Sequence, residues 1–442
     1  MSSGRISPML SPIEARVRKH LRFNFVVGLL DGGAFGLGMG FGSFTAIIPL
    51  FVHHLTDSAL LIGLVPAIHN MGWQLPQLFT AGWISRVRRY KPLTLALTVH
   101  ERLPFLGLAI IALALPGSSK PMILALTFLM LVWQGFGAGF AANPWTNLVS
   151  KVIPQEMHGT FFGAQSAAFN GFAGASAVGA GVILSNLDSP FSFGVCFALT
   201  FLFMALSFGF LALTREPDSP VHEAGRSDAL LGRSLQILRK DANFRAFLGV
   251  RVLSQFAGMG FAFYVIYAVQ RFGVSDAAAA VLVAFLLIGQ VVLGPLMGRL
   301  GDLWSHRGIM SVGALGAALS AVLAWRAASP AWFYGVFLLE AVAIVAIWTI
   351  PLALSVRFAQ DQTERPLYIG LSNTLPAPAA ILAPAIGGWI ADAAGYDTMF
   401  ILSALSGVAM ALALWFIVKD PIQRRSAATI LSGADAGPAP PA

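Results

Sequence analysis

Residues 298–307 read GRLGDLWSHR and lie between two long apolar runs. They follow the pattern G-x-L-x-D-x-x-x-[RKH]-[RK], with Asp302 at the acidic position and His306 and Arg307 at the basic ones. A carboxylate in so short a loop can cap the positive end of a neighbouring helix or pair with a base, while basic residues hold the loop at an anionic membrane surface. A degenerate copy, GWISRVRRYK, occupies residues 82–91 after the second apolar run, with Arg86 at the acidic position. A second pair of marks repeats: Pro144 and Gly163 are 19 positions apart, and so are Pro351 and Gly370. Each pair bridges two apolar runs through a charged link, the trace that a duplicated six-helix unit leaves.

The chain of 442 residues is 57% hydrophobic and 11% charged, against about 25% charged in an ordinary soluble domain. Such a chain cannot cover a water-facing surface. Its apolar residues fall in runs of about 20 or more, the length that crosses about 30 Å of hydrocarbon. Twelve runs occur, at about 24–52, 58–81, 92–115, 121–149, 160–186, 190–213, 245–270, 277–298, 308–327, 331–356, 367–390 and 397–418. Runs one, four, five and ten carry Gly or Pro inside, which neighbouring helices accommodate in a membrane. Barrel strands are short and alternating, so an outer-membrane barrel is excluded.

The net charge of +8 would suggest a nucleic-acid partner in a soluble chain. Here position decides otherwise. Of 28 Lys and Arg, only Lys120, Arg271 and Arg326 fall in odd-numbered loops, and Arg102 and Arg251 fall within runs; the other 23 occupy the termini and even-numbered loops. The positive-inside rule makes both termini cytoplasmic. The expected organisation is a cytoplasmic segment 1–22, a six-helix bundle 23–214, a cytoplasmic linker 215–244, a second bundle 245–420, and a disordered tail 421–442. Residues 11–22 read as a basic interfacial helix leading into the first span, and residues 229–239 as a surface helix in the linker. No short apolar segment with a small-residue cleavage site marks a signal peptide. One cysteine, Cys196, excludes an internal disulfide and a cysteine metal cluster.

The loop at 298–307, its copy at 82–91 and the doubled Pro–Gly spacing together resemble the major facilitator superfamily of transporters, over roughly residues 20–420. The family carries this loop between helices two and three and between helices eight and nine. The resemblance implies an all-α membrane protein of twelve transmembrane helices in two pseudo-symmetric six-helix bundles. It implies that helices one, four, seven and ten line a central cavity while three, six, nine and twelve pack outside. It further implies a cytoplasmic gate in which the loop acid meets the start of helix eleven. Since Arg86 replaces that acid here, either a charge-swapped latch joins Arg86 to Asp361 or Glu364, with Asp302 keeping the usual role against the start of run five near His158 and Thr160 and Arg307 in the same gate, or Arg86 only adds to the basic cytoplasmic face. Many proton-coupled members carry an Arg three residues before a Gln-Gly pair in helix four; here that position is Leu131, before Gln134 and Gly135. The sequence Pro384-Ala-Ile-Gly387-Gly388 resembles the family's antiporter motif but lies in run eleven rather than five.

Run one repeats Gly32, Gly36 and Gly40 on one face, where another helix can approach closely. Ionisable residues deep in a membrane are costly and point to function. At about 1.5 Å per residue, Asp31 and Glu101 lie roughly 12 and 14 Å into their runs, and Glu340 roughly 14 Å from the opposite face. Burial favours the neutral, proton-bearing form of a carboxyl, as a proton carrier requires; the alternative for each is a paired structural group. Arg102 is expected to turn inward and pair with Asp31 or Glu101. His69 and His100 are either relay groups or hydrogen-bonded structure.

No G-x-x-x-x-G-K-[ST] or H-E-x-x-H motif occurs, so neither ATP-driven pumping nor zinc catalysis is expected. The chain reads as a non-enzymatic, monomeric, multi-pass inner-membrane protein without cofactor, metal or nucleic acid. Its partners are the lipid bilayer, protons and a small-molecule substrate. Trp133, Gln134, Gln255, Tyr264, Tyr267 and Trp348 offer aromatic and amide groups to a cavity with few fixed charges. That favours proton-coupled efflux of a small, fairly apolar compound. Proton-coupled uptake is the near alternative, and a non-transporting assembly or sensing protein a more distant one. A reporter fused after Arg425 should be active only in its cytoplasmic form; a periplasmic signal there contradicts the twelve-span topology.

Overall fold

The protein is described here from a computed structural model covering residues 12–84, 87–115, 117–218, 227–359 and 364–419. Regular structure among these residues is helical throughout. The first half comprises α1 (Pro12–Phe41), α2 (Ile47–His53), α3 (Ala59–Ile84), α4 (Tyr90–Ala114), α5 (Lys120–Val152), α6 (His158–Asn186) and α7 (Phe191–Leu213). After α8 (Ser227–Lys240) come α9 (Ala242–Ala257), α10 (Tyr264–Phe272), α11 (Asp276–Leu303), α12 (His306–Arg326), α13 (Trp332–Ile344), α14 (Ile350–Phe358), α15 (Arg365–Thr374) and α16 (Ala377–Phe416).

Each of the twelve apolar runs is helical. Nine helical stretches among the described residues are long and apolar enough to cross a membrane, one of them, Leu367–Phe416, running to 50 residues. That stretch joins runs eleven and twelve across Gly395, whose φ of 83° and ψ of 159° only glycine adopts without strain. Breaks within runs follow local chemistry. Run one parts at residues 42–46 between α1 and α2, where the Ser43 hydroxyl accepts from the backbone N–H of Ala46 and Ile47. Run seven parts at Gly258 and a 3-10 turn, Met259–Ala262. Run ten passes through a π-helical turn, Val345–Thr349. Runs four and five, also marked by Gly or Pro, stay continuous as α5 and α6.

The basic segment, expected as an interfacial helix leading into the first span, is the first part of α1 and continuous with the span. No Gly or Pro interrupts residues 13–27, so nothing stops the helix. The 421–442 tail lies outside the described residues.

Contacts divide the chain into two units. Unit 1 comprises residues 1–57, 68–225 and 275–287; unit 2 comprises residues 58–67, 226–274 and 288–442. In unit 1, α1 lies against α6 along its glycine face. A Cβ at Gly36 would stand 2.3 Å from the Phe169 carbonyl oxygen, and one at Gly40 2.2 Å from that of Ala173. In unit 2, an aromatic core joins Phe244, Phe247, Phe358 and Tyr368, and Ile237 of α8 belongs to the same cluster.

Gly36→Ala should therefore overpack the α1–α6 seam and cost about 1–3 kcal/mol. Gly171→Ala, on α6 with open space beside it, should leave the thermal midpoint unchanged or slightly raised. Equal midpoints for the two variants would contradict the close seam.

Candidate functional site

Two acids inside the apolar runs of unit 1, Asp31 and Glu101, are joined to Arg102. On α4, Arg102 is buried, and all three of its side-chain nitrogens are bonded. Nε donates to the Met204 carbonyl at 3.0 Å, Nη1 to the Thr98 carbonyl at 3.0 Å, and Nη2 to the Ser207 hydroxyl at 3.1 Å. Nη1 also lies 3.5 Å from Oε2 of Glu101. Ser207 donates its own proton to Asp31 Oδ1 at 2.6 Å. Asp31, Ser207, Arg102 and Glu101 thus form one connected chain across α1, α7 and α4. The expected inward turn of Arg102 is present, with a serine rather than a direct contact joining it to Asp31. A helical pattern fixes depth, but not which hydroxyl a neighbouring helix presents.

A cavity of about 20 Å³ opens beside Asp31, lined also by Asn24, Trp145, Gln165 and Thr214. It holds roughly one water.

Glu340, on α13 in unit 2, is 1% exposed and its Oε2 has no hydrogen-bond partner. Tyr264 is fully enclosed and donates to Ser320, at 2.9 Å, since the serine hydroxyl donates on to the Ala317 carbonyl. Among the expected cavity residues, Gln134, Gln255, Tyr264 and Tyr267 are buried. Gln134 accepts from His69 Nδ1 at 3.0 Å, Gln255 donates to Ser254 at 3.0 Å, and Tyr267 accepts from Arg271 at 2.7 Å. Trp133 and Trp348 are exposed, and Trp133 donates to His100 Nδ1 at 3.2 Å. The two histidines thus have separate partners and do not meet as a relay.

The loop at 298–307 closes α11 and starts α12. Ser305 caps α12 by accepting from Gly308 N at 3.2 Å, and Arg307 donates to the Val418 carbonyl at 2.9 Å. Arg307 thereby satisfies an orphan acceptor just beyond α16, within unit 2. The Asp302 side chain, Arg86 and Asp361 lie outside the described residues. Glu364 precedes α15 without capping it through its side chain.

A second ionic cluster goes beyond the sequence reading. Lys151, at the end of α5, sits 2.7 Å from Glu216 with both side chains nearly buried. The two oxygens of Glu216 accept from the backbone N–H of Tyr90 and Lys91 at 2.8 and 2.9 Å. They cap α4, whose own N-cap residue Arg89 supplies no side-chain cap. Arg89 in turn pairs with Asp218 through two hydrogen bonds. That bonding holds the Asp218 carboxyl below the usual carboxylate range. The pair is in place above that range and is lost as pH falls through the lowered value. The cue is present in the sequence: two acids at 216 and 218, and a loop of three arginines at 86, 88 and 89 for them to meet. Sequence position puts these acids in the linker, yet Arg215 beside them exchanges hydrogen bonds with Asn24 of α1.

The profile of the Major Facilitator Superfamily matches residues 8–178 and 250–438. The chain belongs to this superfamily. Among solved structures, a mutant form of the nucleoside transporter NupG superposes with a TM-score of 0.70 at 13% identity, covering 90% of this chain and 100% of that one. A D-xylose-proton symporter gives 0.72 at 15% identity, covering 90% and 98%. A POT family transporter bound to a thioalcohol-conjugated peptide gives 0.69 at 13%, covering 88% and 95%. At such identities the likeness is one of fold. No curated protein sequence matches the chain. The protein is a multi-pass membrane transporter of this superfamily.

Breaking the Lys151–Glu216 pair from one side strands a buried charge, so Glu216→Gln and Lys151→Gln should each cost about 3–5 kcal/mol. The double variant should lose less than the sum, as a double-mutant cycle of thermal melts would record. Strict additivity would show that the two side chains act independently.

Proposed function

We propose that this protein couples proton movement to the transport of a small, largely apolar compound, and that Asp31 and Glu101 hold the coupling proton. The observation that carries this reading is the chain Asp31–Ser207–Arg102–Glu101, in which Asp31, Ser207 and Arg102 are buried and Glu101 is half-buried. It holds two acids and one base, and a guanidinium stays charged. Charge balance in a low-dielectric site calls for one proton shared between the two carboxyls. Loss of that proton leaves a net negative charge, which is costly unless the surroundings rearrange or open to water. The small cavity at Asp31, which sets Asn24, Gln165 and Thr214 among apolar side chains, supports an exchange route for it. Efflux is the preferred direction because the intramembrane helices carry few fixed charges beyond these groups. Uptake would use the same protonation site, with proton and substrate entering together.

A second reading rests on Glu340, which is enclosed with an unpartnered oxygen and would carry a proton alone. One experiment separates the two. In proteoliposomes, a compound found by thermal-shift screening is followed under an imposed pH gradient and in counterflow exchange. Asp31→Asn and Glu101→Gln should abolish gradient-driven flux and spare exchange. Driven flux that survives both changes but disappears in Glu340→Gln moves the proton site to unit 2. A wild-type protein with neither driven flux nor exchange contradicts the transport reading.

A further inference from the structure

Two arginines lie inside apolar runs, and the structure treats them differently. Arg102 has every side-chain nitrogen occupied and an acid at hand. Arg251, the tenth residue of α9, is 5% exposed and lies about 13 Å along its helix. Its Nη1 donates to the Ile347 carbonyl at 2.6 Å. That carbonyl is available because Pro351, four residues on, has no N–H to return the helical bond, and the chain passes through its π-helical turn at this point. Nε is buried and unpartnered. No carboxylate among the described residues pairs with Arg251: the described ion pairs are His54–Asp276, Arg89–Asp218, Arg102–Glu101 and Lys151–Glu216. Glu340, in the same unit, keeps its own oxygen unpartnered instead.

A full positive charge enclosed without a counter-charge costs several kcal/mol. Arginine cannot escape that cost by losing its proton. If the side chain served only to satisfy Ile347, a neutral amide donor would do so without the charge. What remains available is one edge of the planar guanidinium, with Nη1 already held. That edge matches a carboxylate, which takes two parallel N–H bonds.

We propose that Arg251 is an anion-binding group of the transport site, and that the transported compound carries a carboxylate on an apolar body. The proposal rests on the transport reading above and narrows its substrate class. Benzoate, with benzamide as its uncharged counterpart, is the probe. In detergent, benzoate should raise the thermal midpoint of the wild type in a dose-dependent way, and benzamide should not. Arg251→Gln should weaken benzoate binding about tenfold or more, as expected when a charge-assisted hydrogen bond is lost. Arg251→Lys should fall between, keeping charge without the fork; it also decides the matter if the glutamine variant does not fold. Arg326→Gln, an exposed control, should bind as the wild type does. Equal binding to wild type and both Arg251 variants overturns the proposal, and so does equal stabilisation by benzamide or no response of the wild type to benzoate. Flux is scored separately. Transport of a neutral compound without benzoate binding removes the anion site and leaves transport standing. Arg251-dependent benzoate binding without flux of any compound does the reverse.

Discussion

A guanidinium buried among apolar helices keeps its charge, and every helix near it must supply acceptors. Arg102 imposes that demand on unit 1. Thr98 answers from its own helix, Met204 and Ser207 from α7, and Asp31 from α1 through Ser207. Three helices are thereby fixed in rotation about their axes, because only one rotation of each brings its acceptor to the arginine. The glycine face of α1 then fixes its distance from α6, where an added Cβ would meet backbone. Steric closeness and charge satisfaction act on the same helix, and Asp31 lies one residue before Gly32 where the two meet.

Unit 2 handles its buried charges in the opposite manner. Arg251 commits one donor to a carbonyl that a proline has stranded, and Glu340 has an oxygen with no partner. The duplicated halves share a helical plan while diverging in chemistry: one arginine is saturated and the other is not. The same divergence separates the loops. The copy at 82–91 leads into a helix start capped by Glu216 from a distant part of the sequence. The copy at 298–307 caps its next helix locally through Ser305 and ties Arg307 to the end of α16.

Much of this is legible in the sequence, for a plain reason. Hydrocarbon sets the length of an apolar run, so twelve spans can be read directly, and depth follows from helical rise. Glycines at every fourth position announce the α1 seam. Rotation is not legible. In a membrane both the lipid face and the packed face of a helix are apolar, so the polar contrast that orients a helix in water is missing. Tyr264 and Gln134 are enclosed and hydrogen-bonded while Trp348 is exposed, a difference that no apolar pattern announces. Run seven parts at Gly258 and run ten at its π-helical turn, while runs four and five, marked by Gly or Pro, stay whole. A Pro or Gly marks where a helix can part, and neighbouring groups decide whether it does. The Glu216 cap escapes sequence reading because capping from 126 residues away leaves no local pattern.

The central claim is that Asp31 and Glu101 share one proton around Arg102. Infrared spectroscopy of the purified protein at neutral pH reads it directly, through the carbonyl stretch of a protonated carboxyl. The wild type should show such a band in addition to any from other acids, and both Asp31→Asn and Glu101→Gln should alter or remove it. A protonated-carboxyl region left unchanged by both substitutions would mean that the site holds no shared proton, and the account of coupling in unit 1 would be wrong.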